Sequence, residues 1–173
     1  MMNKYYTGIG SRETPTDILE IMSRIARNLD IHGYTVRSGG AGGADSAFDL
    51  KTNAAEIFLP WNSFNGHYTD NKRYFVPELD LASKFVEKYH PAPKKLSAAG
   101  YKLMARNSFQ VLGQDLKTPS RFIICWTPDG KMVGGTSQAL RIAIDNKIKI
   151  YNLADYNARE SILKLLGDHN ETN

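Results

Sequence analysis

The stretch Thr35-Val36-Arg37-Ser38-Gly39-Gly40-Ala41-Gly42-Gly43-Ala44-Asp45 decides how the chain is read. A short β-branched run passes straight into four glycines within five residues, and a short helix through about residue 50 is predicted beyond them. Glycine reaches positive φ cheaply and lets backbone approach a ligand, but ordering so many costs entropy beyond what a tight turn needs. The loop is no Walker A element, because no Gly-Lys-Ser/Thr follows, and it lacks the spacing of the dinucleotide fingerprint. A ligand loop and close packing of helix on strand are both open at this point.

Upstream, Tyr5-Tyr6-Thr7 predicts a strand that ends in a second glycine turn, Gly8-Ile9-Gly10-Ser11-Arg12. Thr14-Pro15 reads as an N-cap followed by proline at the first helical position. Ile18, Ile21, Met22, Ile25, Ala26 and Leu29 then form one helical face, closed by Gly33. Downstream, residues 55–59 predict a third strand ending at Pro60-Trp61-Asn62. Strand, helix, strand, helix, strand implies a parallel sheet with right-handed crossovers.

Residues 63–76 are polar and aromatic without a period, and helices are predicted over 77–89 and 96–116. The α/β rhythm then resumes. Residues 121–126 form an apolar run, as expected of a strand buried on both faces. Gly134-Gly135-Thr136-Ser137 opens a helix to Asp145, residues 148–151 predict a strand, and 158–166 a closing helix before a frayed tail over 167–173. The expected fold is therefore a single α/β domain over 1–173. It is Rossmann-like, with a doubly wound, mainly parallel sheet and a helical insertion at about 63–117.

The chain has 173 residues, 42% of them hydrophobic and 23% charged, which excludes wholesale disorder. The net charge of +4 tolerates an anionic ligand without declaring a nucleic-acid binder. One cysteine, Cys125, excludes an internal disulfide and reads as a small apolar filler, and the four scattered histidines suggest no metal. No apolar run approaches the roughly 20 residues needed to span a bilayer. No signal peptide, no cofactor and a cytoplasmic compartment are the corresponding expectations.

Nine of the 14 glycines (Gly8, Gly10, Gly39, Gly40, Gly42, Gly43, Gly130, Gly134 and Gly135) fall at or beside predicted strand ends on one edge. Ligands bind at that edge in open parallel sheets, and helix N-termini there suit phosphate. Gly8, Gly10, Gly39, Gly40, Ala41, Gly42, Gly43, Gly134 and Gly135 are thus candidates for a backbone cradle. Arg12 can grip a phosphate bidentately or be a solvated loop residue. Ser11 and Ser38 can donate to the same anion or cap helices. Asp45 serves the helix dipole, a ribose hydroxyl, or proton transfer. Asn107 interrupts an apolar helical stripe of Leu103, Met104, Val111 and Leu112. It either bonds backbone across an interface or points into the pocket beside Arg106 and Gln110. Trp61 and Trp126 end strands and offer either base stacking or core packing. Thr136 and Ser137 open the last glycine-led helix and suit phosphate or ribose.

Three motifs carry a resemblance: Tyr6-Thr7-Gly8-Ile9-Gly10-Ser11-Arg12, then Arg37 through Ala47, then Gly134-Gly135-Thr136. In order and position they resemble the SLOG superfamily, closest to its DprA/Smf-like Rossmann proteins, including stand-alone phage-type versions, and more distantly the Lonely Guy phosphoribohydrolases. The resemblance covers most of the chain. It implies a site for a nucleotide or nucleotide-derived ligand, of ADP-ribose or cyclic-nucleotide type, held by a sensor or sequestering protein. It also implies a bacterial or phage-infected host. Two alternatives follow from the same family. Nucleotide N-glycosidase chemistry would need a carboxylate, yet Ala139 stands where the Lonely Guy motif has glutamate, and Arg106 matches its arginine only loosely. Binding of single-stranded DNA in recombination would need a basic stripe with aromatics, to which Arg12, Lys72, Arg73, Lys94, Lys95 and Arg106 are candidates. Whether the chain is an enzyme stays open, and pairing with a second copy is expected.

Overall fold

A computed structural model describes residues 3–167, so residues 1–2 and most of the tail expected to fray lie outside the described residues. Among the described residues six strands form one sheet: β1 (Tyr5–Gly8), β2 (Thr35–Ser38), β3 (Ala55–Phe58), β4 (Tyr74–Phe75), β5 (Phe122–Cys125) and β6 (Lys149–Asn152). Their order is β4-β3-β2-β1-β5-β6, and every adjacent pair is parallel. Among the described residues six α-helices connect or follow them: α1 (Thr16–Ile31), α2 (Ala44–Asp49), α3 (Ser83–Tyr89), α4 (Ala98–Leu112), α5 (Thr136–Asp145) and α6 (Tyr156–Leu165). This is an α/β Rossmann-like fold. The chain winds outward from β1 to one side and returns through β5 to the other, so the order switches between β1 and β5. A crevice outside the carboxyl ends of those two strands follows from that switch.

Alternation along each strand feeds a core on both faces. Tyr6, Val36 and Ile124 pack with α1, α2 and α6 on one side. Ile123 and Cys125 pack with α4 and α5 on the other, which is why the β5 run is apolar without a break. Cys125 is fully buried there, and burial pushes its thiol up to about 12. On α1, Ile18, Met22, Ile25, Ala26 and Leu29 are buried as the periodicity predicts.

The structure departs from the expected elements at α1, in the two middle helices and at β4. Helix α1 starts one residue late, with Pro15 as N-cap, because the Thr14 hydroxyl donates to the Ser11 carbonyl (2.6 Å) instead of capping. The 77–89 helix is split into a 3-10 turn at Leu79–Ala82 and α3, and the next helix stops at Leu112 because Gly113 turns out at φ 82°. Strand β4 lies in the stretch expected to be irregular. Its two residues carry no periodicity, and its hold on the edge comes from backbone, with the Ile57 and Leu59 amides donating to the carbonyls of Arg73 (2.8 Å) and Phe75 (2.7 Å). Among the described residues no helix is long and apolar enough to cross a membrane.

Candidate functional site

The crevice at the switch point is a cavity of about 540 Å³. Its walls are the loop after β1 (Ile9 to Glu13), the loops after β5 (Thr127, Pro128, and Val133 to Thr136), Ala41 and Asp45 from the glycine loop and α2, and one face of α4. Helix α4 brings Leu103, Met104, Arg106, Asn107 and Gln110 to it. The N-terminus of α5 opens at its rim at Thr136, where the Ser137 and Gln138 amides donate to the Gly134 (3.3 Å) and Gly135 (3.2 Å) carbonyls of the entering turn.

Arg106 is the keystone of the floor. Its guanidinium donates to the Gly39 carbonyl, to the Phe58 carbonyl (3.0 Å) and through Nε to Asn107 Oδ1 (3.1 Å). Asn107 in turn donates through Nδ2 to the Gly135 carbonyl (2.9 Å), tying α4 to the loop that starts α5. The polar residue inside the apolar stripe thus does both things the sequence left open: it bonds backbone across an interface and it lines the cavity.

Asp45 is 4% exposed and accepts from the Ala41 amide (3.2 Å). Burial raises its carboxyl to about 6, against the pull of the Arg106 guanidinium and the amides of Ala41, Gly10 and Gly39. Those amides are the donors expected to cradle a phosphate. In this fold they address a carboxylate of the chain itself, and Asp45 fills the nest. Burial likewise lowers Arg106 to about 10, with Asp45 opposing and Arg12 adding to the fall.

Comparison with known proteins gives a fold and no more. No protein-family model and no curated protein matches the chain. Among solved structures, DNA processing protein A (DprA) from Streptococcus pneumoniae superposes with a TM-score of 0.53 at 15% identity, over 95% of this chain and 56% of that one. The fold is DprA-like. A second structure, DprA from Helicobacter pylori, described for its single-stranded DNA binding mode, gives a TM-score of 0.43 at 14% identity over 96% and 82% of the two chains. The chain spans little more than half the length of the pneumococcal protein.

Within this DprA-like frame the sequence candidates divide. Gly10, Ser11, Arg12, Ala41, Asp45, Arg106, Asn107, Gly134, Gly135 and Thr136 come together around the cavity. Several others are taken up by packing. A Cβ on Gly8 would sit 2.5 Å from the Phe48 ring. Gly43, at φ 74°, meets the Arg12 and Ser11 backbone at 2.8 Å. Gly39 leaves room for Gln110 and Arg106, and Gly40 for Leu59. Gly42 alone in that run faces open space. Ser38 is buried and donates to the Gly8 carbonyl (2.6 Å), while Ser137 donates to the Gly134 carbonyl (2.6 Å) in its own turn. Trp126 packs on the α1 side of the core, and its carbonyl accepts from the Ser11 amide (3.2 Å). Trp61 lies in a separate groove. The sequence reading missed the apolar rim of Leu103, Met104 and Val133, and Thr127 from the turn after β5. The Thr127-Pro128-Asp129-Gly130 turn signal after an apolar strand was the available clue.

Asp45 has a measurable consequence. A carboxyl whose folded value lies above its ordinary 3.8 contributes stability that is fully present below pH 3.8 and is lost as the pH rises through about 6. Asp30 and Asp115 are lowered by their hydrogen bonds and act in the opposite sense. The comparison with Asp45→Asn therefore isolates the site. Urea titrations between pH 4 and 7 should show the difference in stability between parent and Asp45→Asn changing by about 2–3 kcal/mol, to the parent's disadvantage as the pH rises. A constant difference across that range refutes the raised carboxyl.

Proposed function

We propose that the chain binds single-stranded DNA, with a backbone phosphate seated in the cavity at the switch point. The observation that carries this reading is Arg12. It is exposed, it lines the cavity, and it has no hydrogen-bond or carboxylate partner among the described residues. It stands over a floor that holds the buried Arg106 charge and beside the N-terminus of the ten-residue α5. Two guanidinium groups and a helix dipole favour an anion there; of the two carboxylates on the cavity wall, Asp45 accepts from the Ala41 amide and Glu13 is exposed to solvent beside Arg12. The DprA-like fold, shared with a protein named for DNA processing, supports a polynucleotide as the source of that phosphate.

Fluorescence anisotropy with a labelled 20-nucleotide single strand tests this. Arg12→Ala should weaken binding about tenfold and reduce the salt slope by about one, the signature of one lost phosphate contact. The competing reading is a free nucleotide, which the cavity volume favours, since about 540 Å³ falls among small-ligand sites. AMP, cyclic nucleotides and ADP-ribose in thermal-shift assays separate the two. A nucleotide shift with no retention of the single strand rejects DNA as the ligand.

A further inference from the structure

A second concavity, of about 890 Å³, lies on the same edge of the sheet, where the chain leaves β3 and β4. Trp61, Lys72, Tyr74, Phe75 and Lys102 are among its walls, and no carboxylate lines it among the described residues. Helix α4 joins it to the cavity: Lys102 lines the groove, while the next residues, Leu103 and Met104, line the cavity. Leu103 also packs with the Trp61 and Phe64 group, so one side chain forms the ridge between the two sites.

The aromatic wall is built rather than incidental. Trp61 stands edge-to-face on the buried Phe64, ring centres 5.3 Å apart at 90°. Tyr74 stacks on His67 at 4.5 Å and donates its hydroxyl to Asp49 (2.9 Å). Asp49 is itself held by Arg73 at 2.6 Å. Arg73, a candidate for the basic stripe, is thereby spent on the scaffold. Lys72 and Lys102 are exposed. Fixed aromatic planes flanked by ammonium groups, with no opposing acid, suit a flat base joined to phosphates.

We infer that this groove is a second subsite for the same single strand, in which a base stacks on Trp61 while neighbouring phosphates lie against Lys72 and Lys102. The inference rests on the single-stranded DNA reading, and the experiment separates them by length. The probes are a 5′-phosphorylated dithymidine, which fills one site, and a labelled 12-nucleotide oligothymidine, which spans both. Trp61→Ala should weaken the 12-mer about tenfold and leave the dinucleotide unchanged. Because the chain has two tryptophans, Trp126→Phe leaves Trp61 as the sole reporter, and its fluorescence should be quenched by the 12-mer. Lys72→Glu with Lys102→Glu, both on exposed positions that spare the fold, should lower the salt slope for the 12-mer by about two. If Trp61→Ala and the lysine pair bind the 12-mer as the parent does while Arg12→Ala weakens both probes, the groove is no subsite and the phosphate seat stands. Equal weakening of both probes by Trp61→Ala also overturns the subsite. If the parent protein retains neither probe, both readings fall together.

Discussion

Arg106→Met is expected to lower the folding stability by about 3–5 kcal/mol, the cost of removing a buried cation that bonds two carbonyls and offsets a nearby buried carboxylate. Arg106 is 5% exposed and sits at the meeting point of β3, the glycine loop and α4. Its removal leaves the Gly39 and Phe58 carbonyls without their donor and Asp45 without the cation that offsets its burial. Methionine is close in length and flexible, so little of the loss comes from an empty volume. The Asp45 carboxyl should then rise further above 6, and the variant's deficit should grow as the pH rises. Asp45→Leu placed on top of Arg106→Met removes the unpaired charge, and the double variant should recover part of what the single one lost. Urea denaturation of the parent, the two single variants and the double variant at pH 7.5 gives the coupling directly. Additive losses would mean that Arg106 and Asp45 act independently, and the cavity floor would need another explanation.

The pair also shows what was legible in the sequence and what was not. Periodicity revealed α1, because an amphipathic helix repeats its signal over several turns. The apolar run at β5 revealed a strand covered on both faces. The glycine runs revealed the edge at which the cavity opens, since loops that start helices at strand ends must lie there. What stayed hidden depends on contacts between distant positions. Asp45 read as a helix-dipole, ribose-binding or proton-transfer residue, and its burial against Arg106 stayed hidden because its partners, Gly10 and Arg106, come from other parts of the chain. Arg106 read as a loose family match, although the side chain closes the floor through two carbonyls from two other elements. Strand β4 is two residues long and leaves no pattern to detect. Trp61 follows β3 closely, as expected, but the crossing of α4 puts Leu103 between it and the cavity.

The glycines themselves separate into those enclosed by packing and those facing open space, and the second large effect follows from that. Gly8→Val is expected to cost about 3 kcal/mol, the upper end of what overpacking costs, or roughly 10 °C in melting temperature for a chain of this size. The new Cβ would fall 2.5–2.8 Å from three ring atoms of Phe48, which is fully buried between α2 and the sheet. Strand β1 is paired on both sides, to β2 and β5, so its backbone has nowhere to yield. Gly42→Val is the contrasting substitution in the neighbouring loop. No heavy atom lies within 4 Å of its Cβ position, so the melting temperature should stay within about 2 °C of the parent's. Gly42 follows Ala41, which lines the cavity, so on the proposed phosphate seat the branched side chain would narrow the approach and single-strand binding should fall at least about tenfold. Differential scanning calorimetry and anisotropy on the same two preparations read the two effects apart. A Gly42→Val protein that binds as the parent does would move the phosphate seat away from the glycine loop, whereas a stable Gly8→Val protein would show that the α2 face of the sheet can yield to admit a side chain.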